Sequence, residues 1–178
     1  MGEVTDLTTD RLTLRPVRVE DLAEIAVLWA DPRFTQPIAG RGPLTAEEVW
    51  FRLLRDLGHW QALGMGNWSI RMKETGAYVG SVGVLDYRRA CVPPMDAPEL
   101  GWGVGVAFQG KGLAREALDA ALGWCDRVLQ APRTVCMIDP PNAPSLRLAG
   151  RVGFRAFAEG AYHDKAVVFL ERSRVAPH

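Results

Sequence analysis

The most informative segment of the chain is Val104-Gly105-Val106-Ala107-Phe108-Gln109-Gly110-Lys111-Gly112-Leu113-Ala114-Arg115-Glu116-Ala117. It begins at the end of an apolar segment typical of a strand, and it ends inside a long segment with helical periodicity. The glycines between the two turn the chain directly from strand to helix. The first N–H groups of a helix converge where the positive end of its dipole lies. The stretch therefore predicts an anion-binding site suited to phosphate.

Two common phosphate-binding loops do not fit this stretch. Residues 105–111 match the glycines and the lysine of a nucleotide P-loop, but Gly112 follows, and it lacks the hydroxyl that would bind magnesium. A dinucleotide fingerprint needs a G-x-G-x-x-G opening a helix in a βαβ unit, which the sequence does not offer. The pattern that fits is Q-x-x-G-x-A, met by Gln109, Gly112 and Ala114.

Strands and helices alternate on both sides of the loop. Strands are predicted over residues 11–16, 67–72, 78–85, 99–104, 135–138, 155–159 and 165–172, and helices over 19–30, 45–57, 113–129 and 142–150. Pro32 is expected to end the first helix, and a loop with three prolines spans residues 88–98. The helices are expected to bury the apolar positions Trp50, Leu53, Leu54 and Leu57, and Leu113, Ala117, Leu118, Ala121, Cys125 and Val128.

Composition places the chain among ordinary globular proteins. Its 178 residues, 48% apolar and 24% charged, predict one domain over residues 1–178. The 21 basic and 21 acidic residues cancel, so no nucleic-acid partner is expected. The sequence contains no run of about 18 apolar residues, so no membrane span is predicted. The acidic N-terminal segment lacks the apolar region of a signal peptide. We expect a cytoplasmic protein with no membrane association.

Cysteine chemistry is not expected. The chain has an odd number of cysteines, Cys91, Cys125 and Cys136, and none of them has C-x-x-C spacing. Neither a disulfide framework nor a metal site is therefore predicted. Cys125 and Cys136 lie in apolar runs typical of a core. Cys91 falls in the proline-rich loop, where we expect it to be exposed.

The loop and its surroundings resemble the GNAT superfamily of N-acetyltransferases. Glu99-Leu100-Gly101-Trp102 precedes the loop, and Asn142-x-x-Ser145 followed by Gly153-Phe154 comes after it. The opening Thr9-Asp10-Arg11-Leu12-Thr13-Leu14-Arg15-Pro16 and the later Asp31-Pro32 are also similar, so the resemblance spans nearly the whole chain. The chain is most similar to the branch named for ribosomal-protein N-terminal (Rim-type) acetyltransferases, which also contains small-amine acetyltransferases.

The resemblance implies a fold and a cofactor. The fold is α/β: a mixed, mostly antiparallel central sheet flanked by helices, with a V-shaped cleft for acetyl-CoA. A bulge among Gly101, Gly103 and Gly105 would help to open the cleft. The contacts with coenzyme A would come from Val104, Val106, Gln109, Gly110, Lys111, Gly112, Leu113, Ala114 and Asn142. Lys111 either approaches a phosphate or points to solvent.

Acetyl transfer to an amine needs a base, a donor to the thioester oxygen and an acid for the thiolate. The resemblance makes Glu99 the candidate base, acting directly or through water, although a salt bridge would also explain a glutamate at a strand end. A backbone N–H near Val104 is the candidate oxyanion donor. Many relatives have a tyrosine acid where this chain has Ala149. Ser145 is the remaining candidate acid, and a serine that only bonds the helix backbone is the alternative.

The resemblance implies a primary amine as the acceptor, on a protein N-terminus or on a small molecule, and the sequence does not decide between them. Phe34, Trp50, Trp60, Tyr162 and His163 are candidates for its pocket, although the helical spacing of Trp50 favours the core. Tyr87 and Tyr162 are alternative proton donors. A non-catalytic acyl-CoA-binding module is the competing interpretation. A magnesium-dependent phosphotransferase is disfavoured by Gly112. The sequence leaves open whether the protein forms a homodimer.

Overall fold

The computed structural model describes residues 6–38 and 42–175. Gly40, within the loop expected after the first helix, lies outside them. The strands are β1 (Leu7–Thr8), β2 (Leu12–Pro16), β3 (Asn67–Met72), β4 (Tyr78–Leu85), β5 (Glu99–Val104), β6 (Arg133–Ile138), β7 (Arg155–Tyr162) and β8 (Lys165–Ser173). The helices are α1 (Leu22–Ala30), α2 (Pro32–Thr35), α3 (Ala46–Leu63), α4 (Leu113–Trp124) and α5 (Ala143–Arg151).

The strands form one sheet in the order β1-β2-β3-β4-β5-β6-β8-β7. Neighbours are antiparallel except β5 and β6, which run parallel. These two share one paired position, Glu99 opposite Val135. Among the described residues no later position pairs them, so the strands separate toward their carboxyl ends. The predicted mixed sheet with a V-shaped opening is confirmed.

The opening does not come from a bulge in β5. The ladder between β4 and β5 keeps one register over the whole of β5, so the bulge expected among Gly101, Gly103 and Gly105 is not formed. The shift in this part of the sheet lies between β3 and β4, at Ile70 and Arg71. Separation of β5 from β6, rather than a kink in β5, makes the gap.

Helix α3 has the predicted start. The Thr45 side chain accepts a hydrogen bond from the N–H of Glu48, and the Glu48 carboxylate accepts one from the N–H of Thr45. This reciprocal pair satisfies two N–H groups that the helix itself leaves without acceptors. The helix ends at Gly64, whose φ of 66° places it in the left-handed region.

The buried face of α3 differs from the expected one. Trp50 is 37% and Leu54 43% exposed, so these two assignments are wrong. The face that turns inward carries polar groups: Asp56 accepts a hydrogen bond from Tyr87, and both ring nitrogens of His59 are bonded to backbone groups. The buried residues of α3 are Val49, Leu53, Asp56, His59 and Trp60.

Helix α4 packs against the sheet behind the loop and buries Leu113, Ala117, Leu118, Ala121 and Leu122. The chain continues from α4 into a wider, π-helical turn, Cys125–Leu129, which ends at Gln130 with a φ of 52°. The wider turn rotates Val128 away from the core. Val128 is 58% exposed, and its predicted place on the apolar stripe is wrong.

The core contains three packed tryptophans. Trp68 lies with its ring centroid 4.9 Å from that of Trp60 and 5.2 Å from that of Trp124, both edge-on. Cys125 and Cys136 are buried, as predicted. Cys91 is also buried, in a second cluster with Val167 and Phe169, so its expected exposure is wrong. The proline-rich loop folds over the end of the sheet, where Val92 forms a bridge with Ala161.

A buried carboxylate joins the first strands to the turn before α1. Asp21 has no exposed surface and accepts hydrogen bonds from Ser69 (2.7 Å), the N–H of Arg18 (3.0 Å) and Arg71 (2.9 Å). Arg15 is a further ion-pair partner. Burial by itself raises the pKa of Asp21, but these hydrogen bonds and charges outweigh it and hold the pKa below its ordinary value. The network fixes β2 against β3.

Candidate active site

The Gly-rich loop leaves the carboxyl end of β5 and enters α4. A short 3-10 turn, Val106–Phe108, is followed by Gly110 and Gly112, whose φ angles are 73° and 77°. A side chain would strain the backbone at both positions, which is why glycine stands there. Gly112 is the N-cap of α4 and contributes no side-chain acceptor. Among the described residues, no acceptor takes a hydrogen bond from the N–H groups of residues 110–115.

Side chains brace this loop from within. Gln109 Nε2 donates to the carbonyl of Val104 at 3.0 Å, and Lys111 Nζ donates to the carbonyl of Ala107 at 2.9 Å. Arg11 donates to the carbonyl of Lys111 at 3.0 Å and pairs with Glu116 on α4. Gln109 and Lys111 therefore hold the loop in shape. The open amides, rather than these side chains, are the groups available to an anion.

A cavity of about 440 Å³ lies beside the gap between β5 and β6. Leu100, Gly101, Trp102 and Gly103 contribute one wall, and Met137 and Ile138 contribute another. The lining brings together two predicted catalytic residues and one predicted cofactor residue: Glu99, Ser145 and Asn142. Val104, Val106 and residues 109–114 are not part of it, because the loop lies past the end of β5.

Asn142 and Ser145 form the start of α5. The Oδ1 atom of Asn142 accepts a hydrogen bond from the N–H of Ser145 at 3.2 Å, which caps the helix, and its Nδ2 donates to the carbonyl of Pro37 at 3.2 Å. The hydroxyl of Ser145 makes no hydrogen bond with any described residue, so it does not bond the helix backbone. At the position of the expected tyrosine, Ala149 is fully buried. Ser145 thus offers a free hydroxyl to the cavity.

Glu99 is held by an arginine that the sequence did not single out. Arg89 donates from Nε to one carboxylate oxygen at 2.7 Å and from Nη2 to the other at 3.0 Å. Its Nη1 donates to the Tyr162 hydroxyl at 3.0 Å. Burial would lower the pKa of Arg89, but the hydrogen bonds and charge of Glu99 outweigh it and raise the pKa. Glu99 is therefore an ion-paired carboxylate in the cavity wall.

Three of the residues considered for the acceptor pocket, Phe34, Tyr162 and His163, line the cavity, and so does Tyr87, which was considered only as a proton donor. The Tyr87 hydroxyl donates a hydrogen bond to Oδ1 of Asp56 at 3.0 Å. Burial and the Asp56 charge raise the pKa of Tyr87 to about 12. It is therefore a poor proton donor to a substrate. The Tyr162 hydroxyl accepts from Arg89 and donates to no described residue, so its proton remains available.

Two pocket candidates lie elsewhere. Trp60 is buried in the core, where its Nε1 donates to the carbonyl of Asn67 at 2.7 Å. Trp50 lies on the exposed side of α3, away from the cavity, and is not a core residue either. In their place α3 contributes Arg52 and Arg55 to the cavity lining.

Sequence patterns gave little indication of these arginines. Arg52 and Arg55 are three residues apart, which places them on one side of α3, and this spacing is the signal that could have marked them. Arg89 lies in an irregular loop and meets Glu99 only because the loop folds back over β5. Within residues 6–38 and 42–175, no group of three or more His, Cys, Asp or Glu side chains is arranged to hold a metal ion. No helix in the same ranges is long and apolar enough to cross a membrane.

Comparison with known proteins agrees with this geometry. The profile of a family described as an acetyltransferase (GNAT) domain matches residues 11–155. The chain is 28% identical over 161 residues to the uncharacterized N-acetyltransferase p20 of Bacillus licheniformis, covering 89% of this chain and 85% of that one. It is 31% identical over 163 residues to the ribosomal protein uS5-alanine N-acetyltransferase of Escherichia coli (strain K12), covering 83% and 77%.

A solved structure supports the same assignment. A Bordetella pertussis protein assigned to the GNAT acetyltransferases superposes with a TM-score of 0.83 at 34% sequence identity, over 95% of this chain and 99% of that one. The resemblance to the ribosomal-protein N-acetyltransferase branch, first indicated by the loop and its flanking motifs, is confirmed. The chain belongs to the GNAT acetyltransferase family.

Proposed function

We propose that the protein is an N-acetyltransferase that transfers the acetyl group of acetyl-CoA directly to a primary amine. The observation that carries the proposal is the placement of a loop with open amides at the end of β5, next to the gap where the edge of β5 that faces β6 is unpaired. The loop amides can bind phosphate, and the unpaired edge of β5 can form hydrogen bonds with the amide groups of the pantetheine arm. A cavity with titratable groups continues from the gap.

Acetyl-CoA would be held at two places. The N–H groups of Gly110, Lys111, Gly112, Leu113 and Ala114 would bind the pyrophosphate, reinforced by the α4 dipole. The backbone of β5 that faces the gap, up to Val104 and Val106, would bind the pantetheine arm, and an N–H there would stabilise the thioester oxygen. Asn142 would contribute from the opposite side of the gap.

The chemistry then falls to the cavity side chains. The acceptor must arrive as, or become, a free amine; its nitrogen forms the new C–N bond as the C–S bond breaks, and the thiolate takes a proton. We assign that proton to Ser145, whose hydroxyl has no other acceptor among the described residues; the proton lost by the amine would reach Ser145 through Glu99 and water, so both side chains return to their starting states. Glu99 would accept the proton of the amine through water, using lone pairs that its bonds with Arg89 leave free.

The competing function is a non-catalytic module that binds acyl-CoA. Its support is Ala149, a small buried residue where many GNAT enzymes have a tyrosine acid. Both functions predict acetyl-CoA binding, but only the enzyme predicts acetyl transfer. Ser145→Ala and Glu99→Gln are therefore the discriminating variants: loss of turnover with unchanged acetyl-CoA affinity supports the enzyme.

The direct test titrates acetyl-CoA into the protein by calorimetry, with ATP-magnesium as the control ligand, and then measures thiol release with panels of small amines and N-terminal peptides. Micromolar binding of acetyl-CoA without ATP binding, followed by amine-dependent thiol release, is the expected result. Absence of acetyl-CoA binding would refute the assignment of the loop. A cytoplasmic location and a single domain over residues 1–178 stay predictions.

A further inference from the structure

An arginine in the cavity wall lacks the partners that its neighbours have. Arg89 is paired with Glu99 and Arg55 with Asp56. Arg52 also lines the cavity, but in residues 6–38 and 42–175 it makes no hydrogen bond or ion pair. Its contact is with the Trp29 ring, whose centroid lies 4.1 Å from the guanidinium carbon.

This contact leaves the hydrogen-bonding capacity of Arg52 unused. An arginine that stacks on a ring does so with its face, while its five N–H donors lie in the guanidinium plane. Burial lowers the pKa of Arg52 and the charge of Asp56 partly offsets this, but a guanidinium stays protonated in proteins. A half-buried guanidinium in a cavity wall, with open donors, is suited to binding an anion.

We infer that Arg52 binds a carboxylate of the acceptor, so that the amine acetylated in this cavity belongs to a small molecule that also carries a carboxylate. The inference rests on the proposed function. The planar fork of arginine matches the two oxygens of a carboxylate. Trp29 and Phe34 offer apolar contact beside it, and a cavity of about 440 Å³ limits the size of what enters.

The charges of the lining agree with a ligand that bears both signs. Glu99 is engaged by Arg89, but Asp139 has no ion-pair partner in the described part of the chain, although it lines the same cavity. Asp139 follows β6, whereas Arg52 lies on α3, so the two charges come from different elements. A molecule with an ammonium and a carboxylate complements both.

The test compares matched acceptors. Alanine against alaninamide, and β-alanine against its amide, are assayed for thiol release from acetyl-CoA. We expect the carboxylates to be favoured in kcat/KM by about tenfold to hundredfold, the effect of charge-assisted hydrogen bonds. Arg52→Met, which keeps the apolar contact with Trp29, should remove this preference mainly through KM, and Arg52→Lys should retain part of it. Equal kcat/KM values of the unaltered protein for each carboxylate and its amide would overturn the inference.

Controls separate this inference from the proposed function. Arg115→Met removes an exposed arginine on α4 and should leave the preference intact. Thermal unfolding checks that each variant folds. If no amine is acetylated, the proposed function fails, and calorimetric titration of N-acetylalanine against N-acetylalaninamide still tests Arg52: equal binding, or binding that Arg52→Met does not weaken, contradicts its role. A preference confined to peptides with an acidic second residue would overturn the small-molecule assignment.

Discussion

Replacing Glu99 with glutamine perturbs the ion pair in the cavity wall. Two hydrogen bonds, 2.7 and 3.0 Å long, join Glu99 to Arg89, and the side chains are 9% and 19% exposed. Removing one partner of a buried ion pair costs about 3–5 kcal/mol. Glutamine keeps the shape and one acceptor, and Arg89 retains some contact with water, so we expect a loss of about 2–3 kcal/mol.

Urea unfolding of Glu99→Gln, Arg89→Met and the double variant measures this loss. The double variant should be less destabilised than the sum of the two single variants by about 2 kcal/mol, because it leaves no unpaired charge. Glu171→Gln is the matched control, since its ion pair with Arg133 is more exposed, and it should cost less than about 1 kcal/mol. A Glu99→Gln protein as stable as the parent would refute the buried-pair argument.

The same variants separate catalysis from positioning. If Glu99 takes the proton from the amine, Glu99→Gln lowers kcat by about 10²–10⁴ and leaves acetyl-CoA affinity unchanged, since the loop lies elsewhere. The double variant should regain stability without regaining turnover. Turnover that returns together with stability would instead assign Glu99 to the positioning of Arg89. Unaltered turnover in Glu99→Gln would remove it from the mechanism.

Three further outcomes are expected. Gly112→Ala should weaken acetyl-CoA binding by about tenfold in calorimetry, because the free loop relaxes away from the φ of 77°, which costs a residue with Cβ about 1–2 kcal/mol, and must return to it on binding. Gly150→Ala, in open space on α5, should not weaken binding. Ser145→Ala should lower kcat by about a hundredfold with unchanged KM, and a larger loss in Tyr162→Phe would transfer the acid role to the tyrosine. The lowered pKa of Asp21 stabilises the fold above its unfolded-state pKa of about 3.9, and the benefit is lost as pH falls through the folded-state pKa. Stability measured from pH 6 to pH 2 should therefore fall more steeply in the parent than in Asp21→Asn; parallel curves would contradict this.

Local patterns were sufficient to predict the structure of the Gly-rich loop and of the helix that follows it. The loop and α4 were predictable because the positive φ angles at Gly110 and Gly112, the end of β5 and the start of the helix all depend on neighbours in sequence. The caps of α3 and α5 follow the same logic, since a Thr45 or Asn142 side chain reaches its own helix. The side-chain hydrogen bonds of Gln109 and Lys111 to the loop itself were not predicted.

Burial was predictable only where it followed hydrophobicity. On α3 the buried face includes Asp56 and His59, whose polar atoms find partners on the loop after β4 and on the backbone after α3. A prediction based on apolar residues alone therefore assigns the wrong buried face to such a helix, and it places Trp50 in the core. Cys91 gives the converse error, because a proline-rich segment was expected to be exposed and instead packs on Val167 and Phe169.

The acceptor side of the site depends on contacts between distant segments. Arg52 on α3 meets Trp29 on α1, and Arg89 in the loop joins Glu99 on β5 to Tyr162 on β7. No local pattern specifies such meetings, because each is fixed by how separate elements pack. It follows that substitutions in these segments can alter the proposed acceptor site while leaving the loop before α4, the proposed cofactor site, unchanged. On the role inferred for Arg52, the chemistry of this arginine and its surroundings, rather than the motif that identifies the family, would select the acceptor.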